Sequence, residues 1–451
     1  MQQRARFSLR HAGLLALVAI GLGPACTQDG PLSDEEMAQL RAFMLPASPP
    51  ADTSNAYGDD VRAARLGKLL FFEPRFSGKL GPYNIYATNG ALGNVDDAGK
   101  VSCASCHDPL TAGVDRRSLP NATSLGVSYT HRNAPTIFNA AYSPLWQFWD
   151  GRADSLWSQA LSPPEGPAEC AGTRLGVALV LYDNYRLDFE EVFGTGAMPD
   201  ALKDTSRFPA TTARPGDRDF KTLEDKMLVN SIYANFGKAI AAYERRLVSN
   251  AFEPSPFDAF MAGDASAMSP AAIRGARLFV GRAGCAECHR GSMFSDFAFH
   301  NVGVPQTGQY PPATDGGRSD GLYGEENVLT NIFNRAGEFS DDKSDSKADH
   351  LQAIHPPRLT IGQFKTPTLR NVAQTAPYMH DGVYQTLWDV VNHYNFGGST
   401  GPYSGTKDPA LAPLLLTDAE LGELVEFLRA LDDGRVKPTD DFPEGLLTHP
   451  F

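Results

Sequence analysis

The sequence predicts a mainly α-helical chain of two similar halves with long loops between the helices. Three observations predict it. Cys103-Ala104-Ser105-Cys106-His107 and Cys285-Ala286-Glu287-Cys288-His289 are two copies of one five-residue pattern. A helix-like stretch enters each copy, residues 65–71 before the first and 274–279 before the second, and each half closes on an amphipathic helix. With 42 Gly and 33 Pro, much of the remainder is loop, as in a fold that wraps ligands instead of stacking regular layers.

Taken in order, residues 1–26 read as a secretory leader: Arg4, Arg6 and Arg10 precede an apolar run at 13–22 and small residues leading to Ala25-Cys26. The run is short for a membrane span. Gly23-Pro24-Ala25-Cys26 resembles a bacterial lipobox, which favours acylation of Cys26 over a plainly cleaved leader; either route delivers the chain to the periplasm. An extension follows at 27–60, then the first half at 61–262, the second at 263–440 and a tail at 441–451. Residues 227–247 are expected to close the first half as a helix. In the second, Thr417 and Glu420 form a capping box before Leu421, Leu424, Val425, Leu428 and Leu431 on one face. Residues 79–100 and 314–350 look inserted. The acidic run Asp341 to Asp345 lacks the ligand spacing of an EF-hand and reads as a solvated loop. A net charge of −13 argues against nucleic acid and favours a basic partner, such as a small positively charged electron carrier.

The repeated pattern is C-x-x-C-H, the attachment signature of covalent c-type haem. Two thiols one helical turn apart add to the porphyrin vinyl groups, and the following imidazole turns back to the iron as axial ligand. Cys103, Cys106 and His107 would hold one haem, and Cys285, Cys288 and His289 a second. Of six cysteines, four belong to the motifs, Cys26 ends the leader and only Cys170 remains, so no disulfide framework is left to build.

Between and beyond these motifs stand Arg132-Asn133-Ala134-Pro135-Thr136, Phe148-Trp149-Asp150-Gly151-Arg152, Phe299-His300-Asn301-Val302-Gly303, Lys365-Thr366-Pro367-Thr368-Leu369-Arg370-Asn371 and Ala376-Pro377-Tyr378-Met379-His380-Asp381-Gly382. At these residues the chain resembles the bacterial di-haem cytochrome c peroxidase family, which includes the MauG-like proteins. The resemblance spans roughly residues 60–435. It implies two cytochrome c-like haem domains facing each other across their interface, with a calcium ion between the haems. It also implies that the N-terminal haem reacts with hydrogen peroxide and the C-terminal haem handles electrons.

Cleaving an O–O bond at iron requires an open axial position and an acid/base that moves a proton between the two oxygens. Glu169 matches the family's acid/base, Gln159 and Pro163 its distal-pocket residues, and Trp149 the aromatic side chain between the haems; Glu165 is the nearest competitor to Glu169. Family members that need reductive activation carry a blocking histidine after a Ser-x-Gly triplet. Here the triplet is Ser124-Leu125-Gly126 and Val127 follows, so the first iron is expected to be open, with His131 as the one nearby substitute. At the second haem's distal position the residue is Tyr394, as in MauG-like proteins, with Met379 and His393 as competing ligands. Asn133, Thr375 and Pro377 match the family's calcium ligands, the last two through backbone carbonyls. Arg370 and His380 are candidates for haem-propionate contacts, and Cys170 for a small buried apolar residue.

Two enzyme classes follow. One is a peroxidase that takes electrons from a small donor protein, a c-type cytochrome or a copper protein. The other is a MauG-like enzyme that oxidises an aromatic residue, typically tryptophan, on a protein substrate. A non-enzymatic electron-transfer cytochrome is the third class.

Overall fold

The computed structural model describes residues 30–82, 92–117, 122–209, 220–308, 310–352, 357–434, 436, 442 and 445–450; the leader and Cys26 lie outside them. Residues Leu32–Phe451 form one compact unit. Its helices are α1 (Asp34–Arg41), α2 (Val61–Phe72), α3 (Cys103–Cys106), α4 (Leu156–Gln159), α5 (Ser162–Glu165), α6 (Arg174–Phe193), α7 (Leu223–Glu244), α8 (Pro256–Met261), α9 (Pro270–Val280), α10 (Arg318–Tyr323), α11 (Leu387–Asn395) and α12 (Asp418–Arg429). Among the described residues the sheet is confined to β1 (Phe299–His300) paired antiparallel with β2 (Phe364–Lys365). The fold is therefore mainly α.

Local chemistry sets the helix starts. Asp60 accepts from the Arg62 amide to cap α2, Thr222 caps α7, Ser269 with Pro270 behind it caps α9, and Thr417 with Glu420 forms the expected capping box on α12. The faint sequence repeat becomes a repeated helix pair: α2 packs on α7 in the first half, α9 on α12 in the second. Each pair crosses at a glycine. A Cβ on Gly67 would lie 1.9 Å from the Ala239 carbonyl oxygen, and one on Gly275 would lie 2.0 Å from that of Glu423. The crossing distance in both halves depends on the missing side chain.

Two hydrophobic cores result. The first gathers Leu70, Phe71, Trp157, Phe189, Tyr233, Phe236 and Tyr243; the second gathers Phe257, Phe279, Phe294, Leu424, Phe427 and Leu431. They change over between Phe252 and Phe257, a few residues before the boundary suggested by the sequence. The chain ends cross. Leu40 and Phe43 of the N-terminal extension seal the second core, whereas Phe442 and Leu446 of the tail seal the first. Tyr243 Oη donates to the Leu446 carbonyl at 3.0 Å, and Glu36 pairs with Arg277 at 2.8 Å.

The acidic run 341–345 faces solvent in part, with Asp341, Lys343 and Ser344 exposed, yet two of its carboxylates pair with buried cations. Asp341 accepts from the Lys238 amine at 2.6 Å, and Asp345 from buried Arg335 at 2.6 Å. Lys238 belongs to the first half and Arg335 to the inserted segment itself, and both are buried cations that these carboxylates neutralise.

Candidate haem and peroxide site

In the first half, the turn α3 sets Cys103 and Cys106 on one side, and His107 caps it with its amide donating to the Cys103 carbonyl at 2.9 Å. The His107 Nδ1 lies 3.2 Å from the Gly113 carbonyl. A carbonyl can only accept, so Nδ1 carries the proton and Nε2 presents a lone pair; burial holds the ring below the usual histidine range, in the neutral ligand form. Both thiols are pushed up by burial, Cys106 to about 12. A cavity of about 470 Å³ opens on these three residues, and Trp149, Gln159, Pro163 and Glu169 also line it. Its size and a thiol pair plus free imidazole nitrogen on its wall fit a covalently attached haem.

Glu169 is held by its backbone. The Val127 amide donates to the Glu169 carbonyl at 2.7 Å and that of Ser128 to the Ala168 carbonyl at 3.1 Å. The fit is close: a Cβ on Gly126 would lie 2.3 Å from the Glu169 carbonyl oxygen, and one on Gly166 would lie 2.4 Å from Oε2. Burial raises the Glu169 carboxyl, opposed by Arg152 and reinforced by Glu326 and Asp150. The competitor Glu165 is bound instead by Arg174 at 2.7 Å. Val127 is buried with Leu80, Val101 and Cys170; Cys170 is buried as expected. His131 is exposed on the cavity lining.

Sequence reasoning missed four carboxylates of this cavity, Asp315 and Asp320 beside Arg132, and Glu326 and Glu244. Glu326 arrives from the inserted segment, and nothing in its local pattern marks it. Glu244, at the end of α7, is buried, and burial raises it to about 8. Its one signal is an acidic residue ending the apolar run Ala239 to Tyr243.

In the second half, the turn Cys285–Glu287 follows α9, and His289 Nδ1 lies 2.8 Å from the Phe294 carbonyl, the same tautomer-fixing contact as in the first half. The Tyr394 phenol on α11 is raised mainly by burial and further by the charge of the Cys285 and Cys288 sulfurs. His393 is occupied: Nδ1 meets Tyr384 Oη and Nε2 meets the Val302 carbonyl, both at 2.9 Å. Met379 is part-buried in the turn after Pro377. Cys288, Asp296 and His300 cluster closely, but both His300 nitrogens face carboxylates, Asp408 at 2.7 Å and Asp296 at 3.1 Å, so the group is a hydrogen-bonded ion triad beside the haem thiol.

Between the halves, Trp149 Nε1 donates to the Asn133 carbonyl at 2.8 Å, and the Asn133 amide donates to the His380 carbonyl at 2.6 Å. The Asn133 side chain meets the Pro377 carbonyl at 2.7 Å through Nδ2 and Ser124 Oγ at 3.2 Å through Oδ1. Thr375 caps the preceding turn, its Oγ1 donating to Val372. In the same turn Asp381 is buried, its carboxyl raised to about 7, with no partner for Oδ2 among the described residues. The unpartnered Asp381 oxygen, next to the His380 carbonyl that holds the Asn133 backbone, is the kind of oxygen donor a hard cation takes.

The two propionate candidates differ from expectation. Arg370 is fully buried, and its guanidinium binds Asp258, the Phe43 carbonyl and the Ser292 carbonyl, each within 2.8 Å, tying the N-terminal extension to the second haem loop. Its charge is met by Asp258 instead of a propionate. His380 is stacked on Phe364 at 3.6 Å and accepts from Gln306 at Nε2; burial lowers it to about 3, so it offers one neutral N–H and no charge.

A sequence profile described as di-haem cytochrome c peroxidase matches residues 61–266. Cytochrome-c peroxidase IdrP1 of Denitromonas iodatirespirans is 32% identical over 92% of each chain. Methylamine utilization protein MauG of Methylorubrum extorquens is 30% identical over 90% of this chain and 88% of its own. Among solved structures, a MauG-like protein associated with microbial copper homeostasis aligns over 90% of this chain and 95% of its own, at 25% identity and a TM-score of 0.55. The di-haem peroxidase BthA of Burkholderia thailandensis shares the fold, at a TM-score of 0.59 over 88% of this chain and 97% of its own, with 23% identity. On the motifs, the cavity and these relatives together, the chain belongs to the di-haem cytochrome c peroxidase and MauG family, oxidoreductases that act on peroxide.

Proposed function

We propose that the chain is a periplasmic di-haem enzyme that reduces hydrogen peroxide to water at the Cys103–Cys106–His107 site, drawing two electrons through the Cys285–Cys288–His289 site. A haem bound at the first site supplies the iron coordination position and the electrons that O–O cleavage requires. The chain's own contribution is proton handling. Glu169 accepts the proton from one peroxide oxygen and returns it to the other, which leaves as water with both peroxide hydrogens; the remaining oxygen takes up two electrons, and two protons from solvent, to become the second water. The observation that carries this reading is the Glu169 carboxyl on the wall of the same cavity as His107, raised by burial above the ordinary carboxylate range. Gln159 and Pro163 shape the space beside it, and Trp149, bonded to Asn133 at the junction of the halves, carries electrons or holes between the two sites.

Within the family, the MauG-like branch is supported by one contrast: the buried Tyr394 phenol feels the charge of the second pair of cysteines while both nitrogens of His393 are engaged. A phenolate ligand stabilises oxidised iron, so the second site would hold oxidising equivalents for an aromatic residue of a protein substrate. A methionine there would instead suit relay from a small cytochrome or copper protein. Asn133, Thr375 and Pro377 would hold calcium between the sites. Export, with acylated Cys26 as anchor, follows from the leader. Glu169→Gln tests the central reading: peroxide-induced change in the haem absorption, followed by stopped flow, slows by about 10²- to 10⁴-fold. An unaltered rate would remove Glu169 from the reaction.

A further inference from the structure

The inserted segment carries Glu326 to the rim of the first cavity. Its carboxylate accepts from Ser162 Oγ, at the start of α5, at 2.8 Å, and lies 4.0 Å from Arg152 Nε. The same guanidinium reaches Glu169 Oε1 at 3.8 Å through Nη2 and Asp150 Oδ1 at 3.3 Å through Nη1. Its flat face lies over the Phe148 ring at 3.5 Å, which fixes the plane in which it can pair. One stacked cation is thus shared by three carboxylates.

Sharing matters because Arg152 can form a bidentate pair with only one of them. Closed on Glu169, it would occupy both carboxylate oxygens and lock the group in its charged form, useless for returning a proton. At 3.8 Å it makes no such pair. We propose that Glu326 is a positioning residue for the peroxide reaction: anchored by Ser162, it adds its charge to that of Asp150, which takes Arg152 Nη1 at 3.3 Å on both oxygens, to keep the guanidinium from closing on Glu169 and leave that carboxyl free to accept and return a proton. The inserted segment is then a working part of the peroxide pocket. The other charges around the cavity are Arg132, already paired with Asp150 and Asp315, together with Asp320, His131 and Glu244, and none of them touches Arg152 apart from Asp150. The inference rests on the reading of Glu169 as acid/base.

The test is Glu326→Gln in the haem-loaded protein, with the rate of the peroxide reaction measured across pH. Losing the carboxylate removes a repelling charge and releases Arg152 towards Glu169, and both effects lower the Glu169 midpoint. The pH limb that depends on Glu169 moves down by about half a unit to one unit, a three- to ten-fold change in proton affinity. Ser162→Ala, which keeps the charge but removes its anchor, moves it the same way by less. An unmoved midpoint in Glu326→Gln overturns the proposal, even if the variant loses thermal stability. A limb that survives in Glu169→Gln instead sinks the acid/base reading beneath it, so the two failures are told apart: one concerns the position of the limb, the other its existence.

Discussion

Replacing Glu244 with glutamine isolates the effect of one buried carboxyl on the pH dependence of folding. The residue is 3% exposed, Oε2 has no partner among the described residues, and burial alone raises it to about 8 from an ordinary value of 4.5. Below the unfolded value both states hold the proton, and Glu244 costs nothing. Between there and about 8 the unfolded chain ionises while the native chain keeps its proton. The native state then binds more protons, and stability falls as pH rises. At about 1.4 kcal/mol per pH unit, the loss is roughly 3 kcal/mol by pH 7 and about 5 at its plateau above pH 8. Glutamine mimics the protonated acid and carries none of this loss. Glu244→Gln is therefore neutral near pH 4.5 and increasingly stabilising to pH 8. Denaturant unfolding of haem-loaded wild type and variant at pH 5, 6, 7 and 8 measures the difference, and covalent haem, attached in both states, largely cancels. Parallel stability curves across that range would refute the reasoning and mean that a partner accepts the charge.

Three further outcomes are expected. Gly275→Ala drives a Cβ into the Glu423 carbonyl and lowers stability by about 1–3 kcal/mol, read as a fall in Tm; Gly422→Ala on α12, with open space around it, leaves Tm unchanged or slightly higher. Tyr394→Phe alters the electron paramagnetic resonance and reduction potential of the second haem and leaves the signal of the first in place; an unchanged second signal would point to Met379 as the ligand. Chelation of calcium lowers the Tm of wild type, whereas Asn133→Ala starts lower and barely responds; equal responses would exclude Asn133 as a ligand.

Much of the site was legible because its chemistry is local in sequence. A thioether-forming pair and its imidazole must be neighbours, so C-x-x-C-H stands out, and the α2–α7 and α9–α12 pairs left a readable repeat of Gly and apolar residues. What depends on distant partners was not legible. Arg370 looked like a cation for a propionate, but Asp258 and Phe43, remote in sequence, claim its guanidinium. Asp341 looked solvated because its cation, Lys238, lies 103 residues away in α7. Glu326 had no mark at all, since its role arises only where the insertion meets α5 and Arg152.

The crossing of the chain ends makes each haem domain a borrower. Each core is completed by residues from the other end of the chain, Leu40 and Phe43 in one case and Phe442 and Leu446 in the other. Neither half can be lifted out as a portable one-haem module without leaving an apolar wound where the borrowed side chains sat. The same exchange works as a latch on the spacing between the two C-x-x-C-H sites: the halves cannot drift apart unless both ends let go, so that spacing is set by the whole chain's folding.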